Sequence, residues 1–160
     1  TTMGLGNDFN EDLLMSMGGA FQGDIYQNAF FLNPYENEHH WISLDLTGEK
    51  TNRSAIGTRL IFTIEEDGRE RKIYREVSSG GSFGASPLRV AVGLGNATEV
   101  KKLEINWLNS AKQRFENLQA DQFYRIVEGQ NTVMTIDLKQ LNFERSVATH
   151  PHGSLTSEVK

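Results

Sequence analysis

The fold is decided by residues 60–77, which read LIFTIEEDGRERKIYREV. In the first half of this stretch every second residue is apolar, which is the pattern of a β-strand with one face on a core. Asp67-Gly68 then offers a type I′ turn, because both central residues of that turn need a positive φ. The stretch therefore predicts a β-hairpin whose return strand runs over residues 71–77.

The same alternation continues on both sides of this hairpin. Ile42, Leu44 and Leu46 alternate with polar residues, so one face of that strand is expected to meet the core. Further strands are expected at residues 88–92, 99–107, 113–118, 122–127 and 132–138. Strands spaced at roughly ten residues are typical of sandwiches and barrels. The sequence thus predicts an all-β protein, a single β-sandwich of roughly eight to ten mostly antiparallel strands with Greek-key or jelly-roll order left open.

Two local predictions complete this description of the chain. Asn109-Ser110 indicates a reversal between two strands, and Trp107 and Phe115 are available to pair across that hairpin. The longest candidate helix covers residues 12–17, which is too short to be stable alone and is ended by two glycines. Helix is therefore expected to contribute little to the fold.

Composition excludes several classes of function. The 160 residues carry a net charge of −5 with acidic and basic residues interleaved, so no basic stripe suits nucleic acid. No apolar run approaches the roughly 20 residues that cross a bilayer, and membrane insertion is not expected. Cysteine is absent, which excludes disulfides, thiol catalysis and thiolate metal sites. No spacing of Ser, His and acidic residues indicates a nucleophile, so the chain is predicted not to be an enzyme.

Four stretches give the chain a resemblance to the ASPIC/UnbV domain, the C-terminal module of FG-GAP or VCBS repeat proteins of the cartilage acidic protein type. Their order and spacing match the family together. They are Thr51–Arg59, Val77–Gly84, Pro87–Arg89 leading into Val92–Gly95, and Val100–Trp107. The chain departs from the family after Trp107, where it has Leu-Asn-Ser in place of a common Pro-Ser-Gly turn.

The resemblance implies a domain organisation and a location. Residues 1–38 resemble the last strands of the repeat region, which builds propeller blades in the family, and are expected to pack on the module. Residues 39–140 would form the ASPIC/UnbV-like sandwich, and residues 141–160 a polar C-terminal tail. The whole protein would be secreted, periplasmic or on the cell surface. The module would contact the upstream repeat domain of the same protein, and its external ligand would be a protein or a carbohydrate.

The candidate binding residues lie in two polar connections between strands. The Gly-rich run over residues 78–86 lacks the Lys and the following helix of a phosphate loop, so nucleotide binding is not favoured. It remains either a long connecting loop or a recognition loop, since loops on rigid sheets often carry function. In the second interpretation Phe83 is an aromatic platform and the other binding groups are Asn52, Arg53, Ser82, Ser86 and Arg89. For Arg53 a structural ion pair is the preferred alternative.

Asp8, Asn10 and Asp12 stand at alternate positions and resemble the calcium loops of FG-GAP repeats, because a hard cation takes several oxygen ligands from one short loop. The alternative is a solvated turn, and no other cofactor is predicted. For the whole chain, the favoured function is a non-catalytic extracellular module that binds protein or carbohydrate. A structural cap that closes a propeller is the alternative. A polysaccharide-active enzyme would require two facing carboxylates roughly 5 to 10 Å apart.

Overall fold

All regular structure in the part of the chain that the structure describes is β-strand. The computed structural model describes residues 2–3, 12–15, 28–31, 39–80, 87–108 and 112–139. The strands are β1 (Thr2–Met3), β2 (Asp12–Met15), β3 (Ala29–Phe31), β4 (His40–Thr47), β5 (Arg59–Glu66), β6 (Arg69–Glu76), β7 (Val90–Gly95), β8 (Glu99–Asn106), β9 (Lys112–Gln119), β10 (Gln122–Val127) and β11 (Val133–Ile136). Over these ranges there is no helix long and apolar enough to cross a membrane.

Eight of these strands form two four-stranded sheets that enclose one core. The front sheet has the order β11-β10-β4-β7, and the back sheet has the order β6-β5-β8-β9. All pairs are antiparallel except β10 with β4, which run parallel. The predicted all-β sandwich is therefore confirmed.

The core follows from the two-residue alternation. On β5, the fully buried Phe62 lies opposite Ile73 on one neighbouring strand and Leu103 on the other, and both of these side chains are buried. In the front sheet Leu44 and Tyr124 are paired in register and face the same core. Burial of each large aliphatic or aromatic side chain contributes about 1.5–3 kcal/mol relative to exposure, so the alternation fixes which face of each strand points inward.

The predicted hairpins are confirmed, with one correction. Asp67 and Gly68 have φ values of 53° and 73°, as the type I′ turn requires. The second hairpin joins β8 to β9, but Phe115 lies opposite Leu103 and does not pair with Trp107. The Trp107 indole instead donates a hydrogen bond to the side chain of Gln113. The pairing prediction was wrong because Trp107 and Phe115 are not equally far from the reversal: Asn106 lies opposite Lys112, so Phe115 lies opposite a residue farther back in β8.

The prediction of a helix over residues 12–17 is also wrong, because residues 12–15 form strand β2. This strand lies between β1 and β3 in a separate three-stranded antiparallel sheet, with Leu13 opposite Phe31. A single helical turn supplies few hydrogen bonds for the dihedral angles that it fixes, whereas pairing with two strands satisfies the backbone on both sides. The domain bounds of the sequence analysis stay a prediction.

One end of the sandwich gathers most of its long connections. β4 and β10 both finish there, and the Glu128 N–H donates to the Thr47 carbonyl at 2.9 Å. The 48–58 connection is tied to the start of the Gly-rich run, because Gly57 N–H donates to the Val77 carbonyl at 2.9 Å. Leu108, which follows β8, lies close to the same connection, since a Cβ at Gly57 would be 3.3 Å from its side chain. We call this region the loop end.

Candidate functional site

The connection over residues 48–57 is a closed loop held by its own polar groups. The Asn52 side chain accepts a hydrogen bond from Ile56 N–H at 2.9 Å and donates one to the Ile56 carbonyl at 2.8 Å. At the loop entrance, Gly48 N–H donates to the Arg53 carbonyl at 3.1 Å. The Asn52 amide, predicted as a binding group, therefore has a structural task in closing the loop.

Glycine is required at the entrance to this loop because the backbone folds back on itself. A Cβ at position 48 would lie 2.2 Å from the Asn52 carbonyl oxygen and 2.6 Å from the Thr51 hydroxyl. No side chain fits at such a distance without a backbone shift. This conformation of the loop therefore requires glycine at position 48.

A buried carboxylate fixes the loop to the rest of the sandwich. Glu128, at the end of β10, is only 4% exposed. One of its oxygens accepts hydrogen bonds from the backbone N–H groups of Glu49, Lys50 and Thr51, at 2.9, 2.8 and 2.9 Å, and from the Thr51 hydroxyl at 3.0 Å. Successive N–H groups that converge on one anion form a backbone nest. The nest around Glu128 holds the first turn of the loop in place.

Two opposing effects determine the protonation state of Glu128. Burial raises the pKa of the carboxyl, but the hydrogen bonds from the nest favour the charged form and lower the pKa to about 2. Near neutral pH the group is therefore ionised and fully engaged. A carboxyl with such a low pKa is poorly suited to proton transfer near neutrality, so Glu128 acts as an anchor of the loop.

The buried side chain of Gln113 makes a second anchor at the loop end. Its carbonyl oxygen accepts hydrogen bonds from the Trp107 indole and, at 3.0 Å, from Gly129 N–H, while its amide donates to the Gln130 carbonyl at 2.8 Å. It therefore connects the end of β8 to the turn between β10 and β11. These two anchors make the loop end a rigid platform.

Three side chains on this platform face outward. The Arg53 guanidinium is exposed and forms no ion pair with the described residues, so the expected structural ion pair is not found there. Ile56 and Leu108 are large apolar side chains that are nevertheless 41% and 43% exposed. We call these three residues the loop-end surface. Arg53 and Ile56 belong to the same closed loop and Leu108 lies close to Gly57 of that loop, so an exposed cation and two exposed aliphatic groups occur in one region of the molecule. Such a combination suits contact with a molecule that has both charged and apolar parts.

Arg89 lies elsewhere, on the outer face of the front sheet. Its guanidinium carbon is 4.9 Å from the centre of the Phe123 ring, and that ring is 5.1 Å from the ring of Trp41. Phe123 is 8% exposed although it lies outside the main core cluster. A cation over an aromatic face is attracted by the ring quadrupole. The described contacts therefore place Arg89 in an aromatic cluster and do not join it to Arg53.

The remaining predicted site residues are only partly described. Ser82, Phe83 and Ser86 lie outside the described residues, as do Asp8 and Asn10. Asp12 lies in β2 and is buried. Within the described ranges no group of three or more His, Asp or Glu side chains is arranged to hold a metal ion. Calcium binding by Asp8, Asn10 and Asp12 stays a prediction.

Sequence reasoning missed four residues that define the loop end: Ile56, Leu108, Gln113 and Glu128. Ile56 and Leu108 look like ordinary apolar residues, and only their exposure distinguishes them. A Glu that directly follows an apolar strand and precedes a glycine was a weak signal for a buried carboxylate at a turn. Nothing in the sequence connects that position to the backbone of residues 49–51, which lie nearly 80 positions away.

The fold and the loop end together define an all-β sandwich module with a polar platform at one end. Residues 48–133, more than half of the chain, match the family described as ASPIC and UnbV. The chain belongs to this family. The matched region begins at Gly48 and includes both the closed loop and Glu128, so the nest and its anchor lie inside the family's domain.

One solved structure is similar to part of the chain. It is the crystal structure of a proposed cell adhesion protein from Bacteroides ovatus, with 11% sequence identity and a TM-score of 0.39. The similarity covers 67% of this chain and 46% of that chain, which is less than half of its length. A likeness at this level carries no argument about function. No curated protein sequence matches the chain.

Proposed function

We propose that the chain is a non-catalytic interaction module that binds protein or carbohydrate through its loop end. The observation that supports this proposal best is the loop-end surface: Arg53 and Ile56 are exposed on a loop held by a buried carboxylate, and Leu108, which follows β8, is exposed close to that loop. Binding groups on a rigid platform lose little conformational entropy when a ligand arrives. The Gly-rich run begins beside this surface, because the backbone of Val77 forms hydrogen bonds with the backbone of Gly57 and Thr58.

The charge of Arg53 narrows the choice of ligand class. A guanidinium binds carboxylate, sulfate or phosphate oxygens in a bidentate manner. The neighbouring aliphatic groups would contact the apolar face of a sugar ring or an apolar side chain. Acidic polysaccharides and acidic protein surfaces are therefore the ligands to test first.

The test is a glycan array that includes uronate-containing and sulfated glycans, probed with the full chain and with two variants. Arg53→Ala is expected to reduce binding at least about tenfold, which is typical of removing one partner of a well-placed charged contact. Arg114→Ala is the matched control, because Arg114 is an exposed arginine on β9 that pairs with Glu116. Equal binding by both variants would contradict the role of the loop end.

If the ligand is a protein, the glycan array shows no binding. Binding is then measured by surface plasmon resonance with an acidic protein surface immobilised on the chip. Leu108→Ser joins Arg53→Ala as a second probe, since loss of an exposed aliphatic side chain weakens a protein contact and leaves the core intact. Both variants must unfold at the wild-type urea concentration for the comparison to hold.

A structural cap that closes a propeller is a second candidate function, because the three-stranded sheet of β1, β2 and β3 has an exposed apolar face. Leu13 and Met15 on β2 lie beside Phe31 on β3, and Phe31 is 52% exposed. Exposed apolar patches of this kind mark surfaces that another element covers. The cap predicts that an apolar dye such as anilinonaphthalene sulfonate binds the chain and that Phe31→Ser reduces its fluorescence. Strong glycan binding combined with no dye binding would count against the cap.

A further inference from the structure

Strand β7 is an edge strand whose protection is confined to its C-terminal end, where its pairing with β4 shifts register and Arg71 donates a hydrogen bond to the Leu94 carbonyl. It is the last strand of the front sheet and reads Val-Ala-Val-Gly-Leu-Gly, with no charged side chain and no proline. The two edges of the back sheet differ, since six of the eight residues of β6 and three of the eight residues of β9 are charged. Charged residues, proline or a covering element normally prevent an edge from pairing with another chain. Among the described strands, only β4 pairs with β7.

Gly93 leaves open space on the outer face of this edge strand. It does not have a positive φ, and a Cβ at this position would meet no atom within 4 Å. Neither backbone conformation nor packing therefore requires glycine here. Glycine within a strand weakens the strand and commonly marks a β-bulge or a place where another backbone or a ligand approaches closely, and here the β4–β7 pairing also shifts register between His40 and Trp41, opposite Gly93 and Gly95. Ala91, two residues earlier on the same face, is small and exposed.

Three arginines of β6 lie on the face of the back sheet that is turned toward the front sheet, and one of them reaches β7. Ile73 of β6 faces the core, so Arg69, Arg71 and Arg75, at even spacing from it, lie on the same face of β6. The Arg71 guanidinium donates to the Leu94 carbonyl of β7 at 3.3 Å, which places Arg71 beside the end of β7. Arg71 is also paired with Glu66 at 3.0 Å, and the Arg75 guanidinium donates to the Tyr74 carbonyl at 2.9 Å, whereas neither Arg69 nor Arg75 forms an ion pair with the described residues.

We propose that β7 binds an extended peptide segment of a partner protein as an added strand, and that this segment carries carboxylates at alternate positions. Backbone hydrogen bonds to β7 would supply affinity, as in other cases of strand addition. Side chains of an added strand point alternately to its two faces, so every second residue would face the arginines of β6. This surface is separate from the loop end.

Charge decides between this partner and a second copy of the chain. Two β7 strands paired edge to edge would place Val and Leu side chains against Arg69 and Arg75, because β7 contains no acidic residue. The arginines would then lose water without gaining a partner, which is unfavourable. A segment with alternating Glu or Asp residues compensates these charges.

The test uses a fluorescein-labelled peptide of about eight residues, the length of a typical strand, that alternates Glu with Val. Fluorescence anisotropy with the full chain gives its affinity. Two control peptides have the same length: one replaces Glu by Lys, and one is N-methylated at alternate residues and cannot donate backbone hydrogen bonds along one edge. Binding is expected for the Glu peptide, with both controls weaker by at least about tenfold.

Protein variants locate the site. The double variant Arg69→Glu/Arg75→Glu is expected to weaken binding of the Glu peptide at least about tenfold, through repulsion in place of attraction. Lys72→Glu is the matched control, because Lys72 lies on the same strand but on the opposite face. Amide hydrogen exchange at residues 90–93 should slow when the peptide is added, a readout that remains valid if the double variant fails to fold.

Three results would overturn the proposal. They are the absence of binding by the Glu peptide, equal binding by the N-methylated peptide, and unchanged exchange at residues 90–93 in the complex. Sedimentation of the free chain as a dimer with protected β7 amides would instead identify a second copy as the occupant. If the peptide does not bind β7, the loop-end proposal is unaffected, because Arg53 and Leu108 are tested in separate experiments with other ligands.

Discussion

Replacing Glu128 by Gln removes one negative charge and nearly preserves the shape of the side chain. In the native protein this carboxylate accepts three backbone N–H groups and one hydroxyl. The amide oxygen of Gln can accept these hydrogen bonds but carries no formal charge. The amide NH₂ group of Gln can only donate hydrogen bonds. The variant therefore measures the electrostatic contribution of the nest rather than a packing defect.

The size of the effect follows from the pKa. A decrease from 4.5 to about 2 corresponds to about 3 kcal/mol of preference for the ionised form, at about 1.4 kcal/mol per pKa unit. Solvent near the loop end screens part of this energy, so we expect Glu128→Gln to lower the free energy of unfolding by about 2 kcal/mol at neutral pH.

The pH dependence has a definite sign. Because folding lowers the pKa of Glu128, its stabilisation is fully present above the unfolded-state pKa of 4.5 and is lost as pH falls toward 2. Wild type and variant should therefore differ most above pH 4.5 and converge near pH 2. Urea unfolding followed by tryptophan fluorescence at several pH values measures both curves, provided that both proteins unfold in two states.

Glu116→Gln is the control, since Glu116 is an exposed carboxylate paired with Arg114 on the back sheet. Exposed ion pairs contribute about 0–1 kcal/mol, so this variant should lie close to wild type. A Glu128→Gln variant as stable as wild type at pH 7 would refute the anchor, as would a difference between the two proteins that does not shrink below pH 4.5.

Other substitutions test the loop, the core and the hairpin. Gly48→Ala should destabilise the protein by about 1–3 kcal/mol in urea unfolding, because its Cβ would collide with the backbone, whereas Gly93→Ala should be neutral or stabilising by up to about 1 kcal/mol. Gln113→Leu should cost about 2–4 kcal/mol by leaving one indole and two backbone groups without partners, which a thermal melt detects. Gly68→Ala should cost about 1 kcal/mol through its positive φ, and a wild-type melting temperature for this variant would contradict the type I′ turn.

The hairpin over residues 60–77 shows what local sequence can determine. Alternation decides which side chains of β5 face the core, and the need for positive φ at two successive positions identifies Asp67-Gly68 as the turn. Both signals act between residues that are close in the chain. In the β8–β9 hairpin the reversal after Trp107 was also predicted, but the contact between Trp107 and Phe115 was wrong because these two residues are not equally far from the reversal.

The candidate site was less accessible from the sequence. Asn52 and Arg53 were identified as members of a polar connection, but hydrogen bonding assigned Asn52 to loop closure and left Arg53 exposed. Arg89 was grouped with them because of the Gly-rich run, yet its position at the start of β7 brings it to Phe123. Sequence reasoning placed polar residues in loops but did not predict what each side chain contacts.

By itself, the sequence determined the all-β class, the approximate positions of the strands in the sandwich, the first hairpin and the family, because these depend on periodicity, turn residues and motif order along the chain. Only the tertiary structure decided that Glu128 anchors residues 49–51, that Ile56 and Leu108 are exposed, and that Arg71 of β6 lies beside the end of β7. These relationships join residues from different strands and different sheets. Their distances depend on how the sheets pack, which no local pattern specifies.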